Sequence, residues 1–233
     1  MCRLISVIVP TLNEEKYLES TLKSIRSQDY KGKYELIVAD GKSKDKTVQI
    51  AKKYADKVIM VEKRGISAGR NAGAKIAKGE TLLFVDADTV LWFNVLTEFT
   101  KVFKKKGIVG ATCPVIPMSS KAADFLLYWI GNQFQKTSTM VNNPQVVGMC
   151  CACRRDVFEK IGGFDEKLST SEDLDLYKRI SEFGNVSFAE GTLALTSVRR
   201  LKAWGRFGSA FKHLYYYLKY ILTGKGYRYK PIR

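Results

Sequence analysis

Two aspartates one residue apart follow an apolar run near the middle of the chain. The segment TLLFVDADTV places residues 82–85, all apolar, directly before Asp86 and Asp88. An apolar run of this length is typical of a buried strand, and two acids at its end suit a hard cation and a phosphate. A simple turn is the other interpretation, since aspartate is common where a strand ends. What lies at the ends of the neighbouring strands decides between the two.

The ends of the neighbouring predicted strands supply further polar groups. YELIVAD ends at Asp40, and the first apolar run, LISVIVP, is followed by Thr11 and Glu14. Because the carboxyl ends of parallel strands meet at one edge of a sheet, we expect Asp40, Asp86 and Asp88 to share a crevice. Unpaired acids repel one another, so such a crevice favours a nucleotide diphosphate bound together with a divalent cation.

The elements that must position these acids follow a regular order. Apolar runs of strand length alternate with stretches of helical periodicity through residues 1–110. This order predicts an α/β fold whose mixed, mainly parallel sheet is flanked by helices. Asn13 and Ser67 are expected to cap two of the helices. Further along, QVVGMCCACRR is predicted to form a strand that runs antiparallel to the others.

Length and composition are those of one folded domain. The 233 residues are 45% hydrophobic and 27% charged, which allows a substantial core. No apolar stretch approaches the roughly 18–20 residues that span a bilayer. LISVIVP also lacks the cleavage site of a signal peptide. We therefore expect a single cytoplasmic domain with two halves, residues 1–110 and 111–200, and a basic tail, residues 201–233.

Crowded cysteines raise the question of a zinc site. Cys150, Cys151 and Cys153 lie close together, but no second cysteine pair exists and the only histidine, His213, is distant. Zinc sites need about four such ligands at recurring spacings. The alternative, which we favour, is that these small residues lie on a buried strand with their side chains on alternating faces.

The net charge of +16 is concentrated at one end of the chain. Residues 191–233 contain ten Lys and Arg and no acid, which predicts an anionic partner for this part. Interleaved basic and aromatic residues also suit nucleic acid, but no recognition motif accompanies them. The chain has neither a P-loop nor a GxGxxG fingerprint, which argues against an ATPase or a dinucleotide enzyme.

Five segments, taken in order, resemble the motifs of family 2 glycosyltransferases. They are SVIVPTLNEEKYLESTLKSI, ELIVADGKSKDKT, SAGRNAGAKIAKGE, LLFVDADT and IGGFDEKLSTSEDLDLYKRI. The resemblance covers about residues 4–190 and implies the GT-A fold, a Rossmann-like α/β architecture with a DxD motif at Asp86 and Asp88. It implies an inverting hexosyltransferase that uses a UDP- or GDP-linked sugar with Mg²⁺ or Mn²⁺.

The resemblance also implies a role for each matching residue. The residues that would bind the nucleotide sugar are Pro10, Thr11, Glu14, Asp40, Arg70 and Asp86. Asp88 would ligate the metal, and Asp173 in SED would be the catalytic base. ADGKSKDKT departs from the family's more usual pair of aspartates and GST, which leaves the selectivity for the donor base open.

Glycosyl transfer needs a stabilised leaving group and a deprotonated nucleophile. A metal on Asp88 would neutralise charge that develops on the departing diphosphate. A carboxylate beside the acceptor hydroxyl acts as a general base, typically worth about 10²- to 10⁴-fold. Asp173 suits this role, although an acid at the start of a helix also simply favours the helix dipole. Glu172 either contacts the acceptor or supports the turn.

The C-terminal tail combines an apolar stripe with basic residues. One predicted helix face contains Trp204, Phe207, Phe211, Leu214, Leu218 and Ile221. A helix that packs on the core would show the same stripe. Dense aromatics and the absence of acids favour an interfacial helix on an anionic membrane, which would suit a lipid-linked acceptor; a glycan acceptor stays open. Arg199, Arg200 and Trp204 are then candidates to contact the acceptor or a phosphate.

Other functional classes stay open at this point. A nucleic-acid-binding protein is one, and a sugar-nucleotide binder without catalytic activity is another. A pyrophosphorylase would begin with a glycine-rich loop, which VPTLNEE is not. The tail lacks the QxxRW motif of processive family members, which predicts transfer of a single sugar.

Overall fold

The computed structural model describes residues 4–168 and 170–223. The strands are Ile5–Thr11 (β1), Tyr34–Asp40 (β2), Lys57–Met60 (β3), Thr81–Val85 (β4), Thr89–Leu91 (β5), Ile108–Thr112 (β6), Val115–Met118 (β7), Cys150–Arg154 (β8), Asn185–Phe188 (β9) and Ala194–Ser197 (β10). The helices are Leu18–Arg26 (α1), Thr47–Tyr54 (α2), Ile66–Ile76 (α3), Val95–Phe103 (α4), Ala122–Met140 (α5), Arg155–Lys160 (α6), Glu172–Ile180 (α7), Arg199–Trp204 (α8) and Arg206–Thr223 (α9).

The larger sheet is mixed and mainly parallel, as the sequence predicted. Within the described ranges it has seven strands in the order β3-β2-β1-β4-β8-β6-β9. β1 pairs in parallel with β2 and β4, whereas β8 runs antiparallel to both β4 and β6. The antiparallel direction of the cysteine-rich strand is therefore confirmed. The strand is shorter than predicted, because residues 145–149 form a loop.

Both faces of this sheet are covered, which explains why its strands are nearly continuous apolar runs. Along β1, Val7 enters the core cluster shared with α1, α2 and α4, and Ile8 enters the cluster shared with α6 and α7. The cysteines of β8 alternate in the same way. Cys150 belongs to the first cluster, and Cys151 and Cys153 belong to the second. This agrees with the buried-strand interpretation; Cys2 lies outside the described residues.

Helix α3 lies close against β1 because it presents glycine to that strand. A Cβ at Gly73 would lie 2.4 Å from Cγ2 of Ile8, and one at Gly69 would lie 3.0 Å from Cβ of Pro10. Backbones approach this closely only where the side chain is absent. The close approach brings Arg70, on the same helix, within reach of the carboxyl end of β4.

Both predicted helix caps are wrong. Asn13 has a left-handed backbone with φ of 54°, and its Oδ1 accepts a hydrogen bond from the N–H of Lys44 rather than from a helix. α1 begins only at Leu18. Ser67 lies inside α3, because the chain enters that helix through Gly65, whose φ of 133° favours glycine.

A smaller sheet and two C-terminal helices complete the described chain. Among the described residues this sheet has three strands in the order β5-β10-β7, and both β5 and β7 were missed in the sequence. The tail was predicted as one helix from Leu201, but Gly205, with φ of 72°, separates α8 from α9. The side chain of Phe207 and residues 224–233 lie outside the described part. Within the described helices, none is both long and apolar enough to cross a membrane.

Candidate active site

Arg70 is the centre of the first group of charged residues. Its side chain is only 1% exposed. Nη2 donates to Oδ1 of Asp86 at 2.8 Å and to the carbonyl oxygen of Gly148 at 2.9 Å. Nη1 donates to Oε1 of Glu172 at 3.1 Å. One guanidinium therefore joins the acid that follows β4 to the acid that begins α7.

Asp173, the residue after Glu172, is held by two backbone groups. The N–H of Gly148 donates to its Oδ2 at 2.6 Å, and the N–H of Leu174 donates to its Oδ1 at 2.9 Å. A carboxylate has further lone pairs, so Asp173 can still accept a proton. A Cβ at position 148 would lie 2.8 Å from Nη2 of Arg70 and 3.0 Å from Oδ2 of Asp173, so a larger residue would displace the ends of both side chains.

Gly148 is a site residue that sequence reasoning missed. It donates to Asp173 and accepts from Arg70, and so it ties the acid of α7 to the arginine of α3. The sequence feature that could have indicated Gly148 is a glycine just before an apolar strand, which often marks a close approach of another backbone or a ligand.

Burial and neighbouring charges set the protonation of this first group. Burial opposes the charge on Arg70, but Asp86 and Glu172 outweigh it and hold the arginine pKa above its usual range. Burial raises the pKa of Glu172 to about 7, with a further rise from Asp173 and an opposing effect from Arg70. Burial also raises the pKa of Asp173, against the lowering effects of Arg70 and the N–H of Gly148. Glu172 and Asp173 therefore titrate as a pair.

Arg199, at the start of α8, organises a second group. Its Nη1 and Nη2 donate to the two carboxylate oxygens of Glu14 at 2.7 and 3.0 Å, and its Nε lies 3.0 Å from Oδ2 of Asp88. The guanidinium lies 5.3 Å from the ring centre of Tyr17. Ser197, which sequence reasoning also missed, donates its hydroxyl to the same oxygen of Asp88. Arg199, which was predicted to contact the acceptor or a phosphate, thus pairs with Glu14 and Asp88, which were predicted to bind the donor and its metal.

Asp88 combines burial with an oxygen that is open to a ligand. Burial raises its pKa; Arg199 lowers the pKa and Asp86 raises it further. The effect of Asp86 indicates that the two groups of charges adjoin. Contacts of the Asp88 carboxylate with described residues fall on Oδ2, which leaves Oδ1 for a ligand.

Asp88 and Arg199 also line a cavity of about 490 Å³. The cavity is bounded by α1, β5, the end of β7 and α8; its further lining includes Lys16, Tyr17, Thr21, Val90, Met118 and Lys202. Asp173 and Arg70 do not line it. The cavity therefore lies on the α1 side of the DxD segment, and the Arg70 group lies on the other side.

Asp40 lies at the same sheet edge but is bound by neutral groups. It accepts hydrogen bonds from the hydroxyl of Thr11 at 2.9 Å and from the N–H and hydroxyl of Ser43 at 2.7 and 2.6 Å. Thr11 pairs with Asp40, and Pro10 with Ala39, where β1 and β2 end. The structure thus joins the DxD aspartates to arginines, whereas Asp40 is hydrogen-bonded to Thr11 and Ser43.

The remaining residues predicted for the site, Arg200 and Trp204, lie in the C-terminal helix α8. Burial has the largest effect on the pKa of Asp88 and raises it. The positive charge of Arg200 lowers the same pKa. Arg200 also acts on Tyr128 of α5, whose pKa burial raises to about 12. Trp204 ends α8, with Nζ of Lys212 lying 4.4 Å from its ring centre. Arg200 is thus near the DxD segment, and Trp204 contacts α9.

Comparison with known proteins identifies the family. The family model described as glycosyl transferase family 2 matches residues 6–162. Glycosyltransferase AglE of Haloferax volcanii is 28% identical over 206 residues, which cover 84% of this chain and 67% of AglE. The poly(ribitol-phosphate) β-N-acetylglucosaminyltransferase TarS of Staphylococcus aureus is 43% identical over 126 residues, which cover 47% of this chain and 22% of TarS.

Solved structures agree on the fold. S. aureus TarS in complex with UDP superposes with a TM-score of 0.67 at 23% identity, covering 86% of this chain and 62% of that chain. The mannosyltransferase PcManGT of Pyrobaculum calidifontis, in complex with GDP-Man and Mn²⁺, gives a TM-score of 0.64 at 21% identity and covers 91% of this chain and 64% of that chain. These likenesses show the GT-A fold that the sequence motifs implied. With the family match over most of its length, this chain belongs to glycosyl transferase family 2.

Proposed function

We propose that this chain transfers one sugar from a nucleotide-diphospho-sugar to a hydroxyl or phosphate of an acceptor, with inversion. The observation that carries the proposal is the position of Arg70. This buried guanidinium contacts Asp86 of the DxD motif and Glu172, the neighbour of Asp173. It holds the donor side and the acceptor side of one reaction centre together.

The donor would bind along the carboxyl ends of β1, β2 and β4. In this proposal the base lies beside Pro10, Thr11 and Asp40, and the diphosphate extends toward Asp86 and Asp88. TarS has been solved with UDP-GlcNAc and PcManGT with GDP-Man, so UDP- and GDP-linked sugars are the two donor classes to test. The neutral contacts of Asp40 support this placement, because its carboxylate can exchange a hydroxyl donor for the edge of a base.

A divalent metal fits Asp88 as a single protein ligand. Among the described residues no three His, Cys, Asp or Glu side chains are grouped to hold a metal. Mg²⁺ and Mn²⁺ accept one carboxylate and take their remaining oxygens from phosphate and water. Oδ1 of Asp88 is such a hard oxygen. When bound there, the metal would stabilise negative charge on the leaving diphosphate. Arg199, 3.0 Å from the other oxygen, would add positive charge at the same place.

Asp173 would remove the proton from the acceptor hydroxyl as it attacks. Its raised pKa makes it a stronger base than an ordinary aspartate. The backbone contacts from Gly148 and Leu174 fix the orientation of its carboxylate. Glu172, held by Arg70, acts as a positioning residue. Attack opposite the departing diphosphate inverts the anomeric centre.

We propose that the acceptor is lipid-linked and that its hydroxyl reaches Asp173, on the Arg70 side of the DxD segment. Helix α9 supports a peripheral membrane contact, because Phe211, Leu214, Leu218 and Ile221 are all about half exposed or more. Tyr220, on the opposite side of α9, is buried and donates its hydroxyl to Asp175 at 3.0 Å. The helix is thus anchored by one side and exposes an apolar stripe on the other.

Donor binding tests the proposal without knowledge of the acceptor. We expect a UDP- or GDP-linked sugar with Mn²⁺ to raise the melting temperature of the protein, since a ligand that binds only the folded state stabilises it. Asp88→Ala should lose the metal-dependent part of this rise. Asp156→Ala, which removes an exposed acid of α6, is the matched control and should keep it.

Two outcomes would contradict the proposal. If no nucleotide sugar stabilises the protein with or without Mn²⁺, the donor site is wrong. If donors bind but no donor is turned over with any acceptor tested, including water, the chain is a binder without catalytic activity.

A further inference from the structure

Helix α5 is inverted, with polar residues on its buried side and apolar residues on its exposed side. Its buried side chains are Asp124, Gln135 and Ser138. Its large apolar side chains are 42–59% exposed: Phe125, Leu126, Trp129, Ile130 and Phe134. A helix on the surface of a protein in water shows the reverse arrangement. An exposed apolar stretch of this size marks an interaction site.

Hydrogen bonds fix the helix in this orientation. Asn132 accepts from the N–H of Val115 at 3.0 Å and donates to its carbonyl oxygen at 2.8 Å. Asp124 accepts from Nε of Arg206 at 2.5 Å. Oε1 of Gln135 accepts from a backbone N–H in the loop before β8 at 3.0 Å. Rotating the helix to bury its apolar side would leave these polar groups without partners, and a buried polar group without a hydrogen bond is destabilising.

The apolar side of α5 continues onto α9. The rings of Phe134 and Tyr217 meet edge to face with centres 6.1 Å apart. The exposed apolar side chains of α9 are Phe211, Leu214, Tyr215, Leu218, Ile221 and Leu222, each 48–81% exposed. Together with those of α5 they form what we call the two-helix face.

The charges around the two-helix face select an anionic partner. α9 contains Arg206, Lys212 and Lys219 and no acid. The only acid of α5, Asp124, is buried and paired with Arg206. Lys121, just before α5, is exposed. A second copy of the chain on this face would bring Lys121, Lys212 and Lys219 close to their counterparts, whereas anionic lipid headgroups would attract them.

We infer that α5 and α9 form one membrane-binding surface and that α5 inserts its apolar side into the interface of an anionic bilayer. The inference rests on the proposed function, in which α9 alone contacts the membrane. Both helices begin beside the cavity of the candidate site: Met118 precedes α5, Lys202 belongs to the helix before α9, and both line the cavity. Docking by the two-helix face therefore brings the cavity to the headgroups, where a lipid-linked acceptor would lie.

Co-sedimentation with vesicles tests the role of α5. The probe is phosphatidylcholine vesicles in which about one third of the lipid is phosphatidylglycerol. The double variant Leu126→Gln, Ile130→Gln should bind about tenfold more weakly than the unchanged protein, because two apolar side chains no longer enter the interface. The matched control is Met60→Gln, Phe93→Gln, which removes two apolar side chains of similar exposure, 52% and 55%, outside the two-helix face and should bind normally.

Tryptophan fluorescence gives an independent readout. In the variant Trp92→Phe, Trp204→Phe, Trp129 is the only remaining tryptophan. Its emission should shift to the blue and be quenched by brominated lipids when vesicles are added. An unchanged spectrum at vesicle concentrations that bind the protein would overturn the insertion of α5.

A third variant separates this inference from the proposed function. If Leu214→Gln, Leu218→Gln weakens vesicle binding but the α5 variant does not, α5 is not part of the surface and the α9 contact stands. If neither variant weakens binding, both membrane assignments are wrong. If the unchanged protein dimerises without vesicles and the α5 variant is monomeric, the face binds a second copy instead. Donor-induced melting shifts should be unaltered in the α5 variant, so the donor site is judged separately.

Discussion

At the scale of single residues, the proposed base can be tested with little change in structure. Asparagine at position 173 retains a carbonyl oxygen for one of the two backbone N–H groups that hold Asp173, but it cannot take up a proton. We expect Asp173→Asn to lower kcat by about 10²- to 10⁴-fold, the usual worth of a general base. The donor-induced melting shift should change little.

The matched control is Asp165→Asn, an exposed aspartate eight residues earlier in the chain. It should keep normal kcat, since it does not belong to the Arg70 group. Wild-type turnover by Asp173→Asn would show that another group accepts the proton.

The raised pKa of Glu172 predicts an unusual pH dependence of stability. Its pKa rises from an ordinary 4.5 to about 7 on folding, chiefly through burial. Between these values the folded protein binds more protons than the unfolded chain, so this group lowers the free energy of unfolding as pH rises. The loss is complete above about pH 7, where Glu172 is charged in both the folded and the unfolded state. Acids with lowered pKa, such as Asp45, act in the opposite direction.

The variant Glu172→Gln isolates this contribution. Glutamine can still accept a hydrogen bond from Arg70 but carries no titrating charge. We expect urea unfolding to show a gain in stability over the unchanged protein that grows from about pH 5 to about pH 8. A constant difference between the two proteins across this range would contradict the raised pKa.

The sequence indicates the acids of the candidate site more directly than their partners. Acids that end apolar strands are visible as a local pattern, and Asp86 and Asp88 were found in that way. Their pairing with arginines is not local, because Arg70 meets Glu172 across 102 positions and Arg199 meets Glu14 across 185. Such contacts depend on how helices pack on the sheet, which no spacing in the sequence records.

At the scale of elements, the strands with two covered faces were the easiest to predict. β1, β2 and β4 are buried on both sides, so their sequences are continuous apolar runs. β5 and β7, with three and four residues, are too short to show a period and were missed. For α5, periodicity cannot tell which side of the helix faces the core. Asn132 and Gln135 decide that through tertiary hydrogen bonds.

The close approach of α3 to β1 predicts that alanine will not be tolerated at position 73. The new Cβ would lie 2.4 Å from Cγ2 of Ile8, inside a fully buried core. We expect Gly73→Ala to lower the free energy of unfolding by about 1–3 kcal/mol, the usual cost of overpacking. It should also weaken donor binding, because a displaced α3 carries Arg70 away from Asp86.

Gly131→Ala is the control for helix propensity. Nothing lies within 4 Å of a Cβ at this position of α5. There alanine should stabilise by up to about 1 kcal/mol, since it costs less backbone entropy than glycine. Equal stability of the two variants in urea unfolding would mean that α3 and β1 are not in contact at Gly73.

At the scale of the whole molecule, charge and apolar surface are placed together. The chain carries a net charge of +16, and residues 191–233 supply ten cations and no acid. Helix α9 of the two-helix face contains three of these cations, Arg206, Lys212 and Lys219, and the cavity beside Asp88 opens near the start of both helices of the face. A molecule built in this way should be drawn to an anionic surface by charge and held there by its apolar side chains.

Because charge attracts the protein to the surface and apolar side chains hold it there, we expect a specific dependence of vesicle binding on salt. The Debye length falls from about 10 Å at 0.1 M salt to about 3 Å at 1 M, so binding to anionic vesicles should weaken steeply with salt. Some binding should persist at high salt through the apolar side chains of α5 and α9.

Two charge variants test whether the location of the cations matters or only their number. Lys212→Gln, Lys219→Gln removes two cations of α9, and Lys105→Gln, Lys106→Gln removes two exposed cations from the turn before β6, at the opposite edge of the central sheet from Asp86. Both variants have the same net charge. At about 1 kcal/mol for each lysine near an anionic surface, the α9 variant should bind vesicles about 30-fold more weakly and show a shallower salt dependence. Equal binding by the two variants would mean that net charge alone, and not the two-helix face, brings the protein to the membrane.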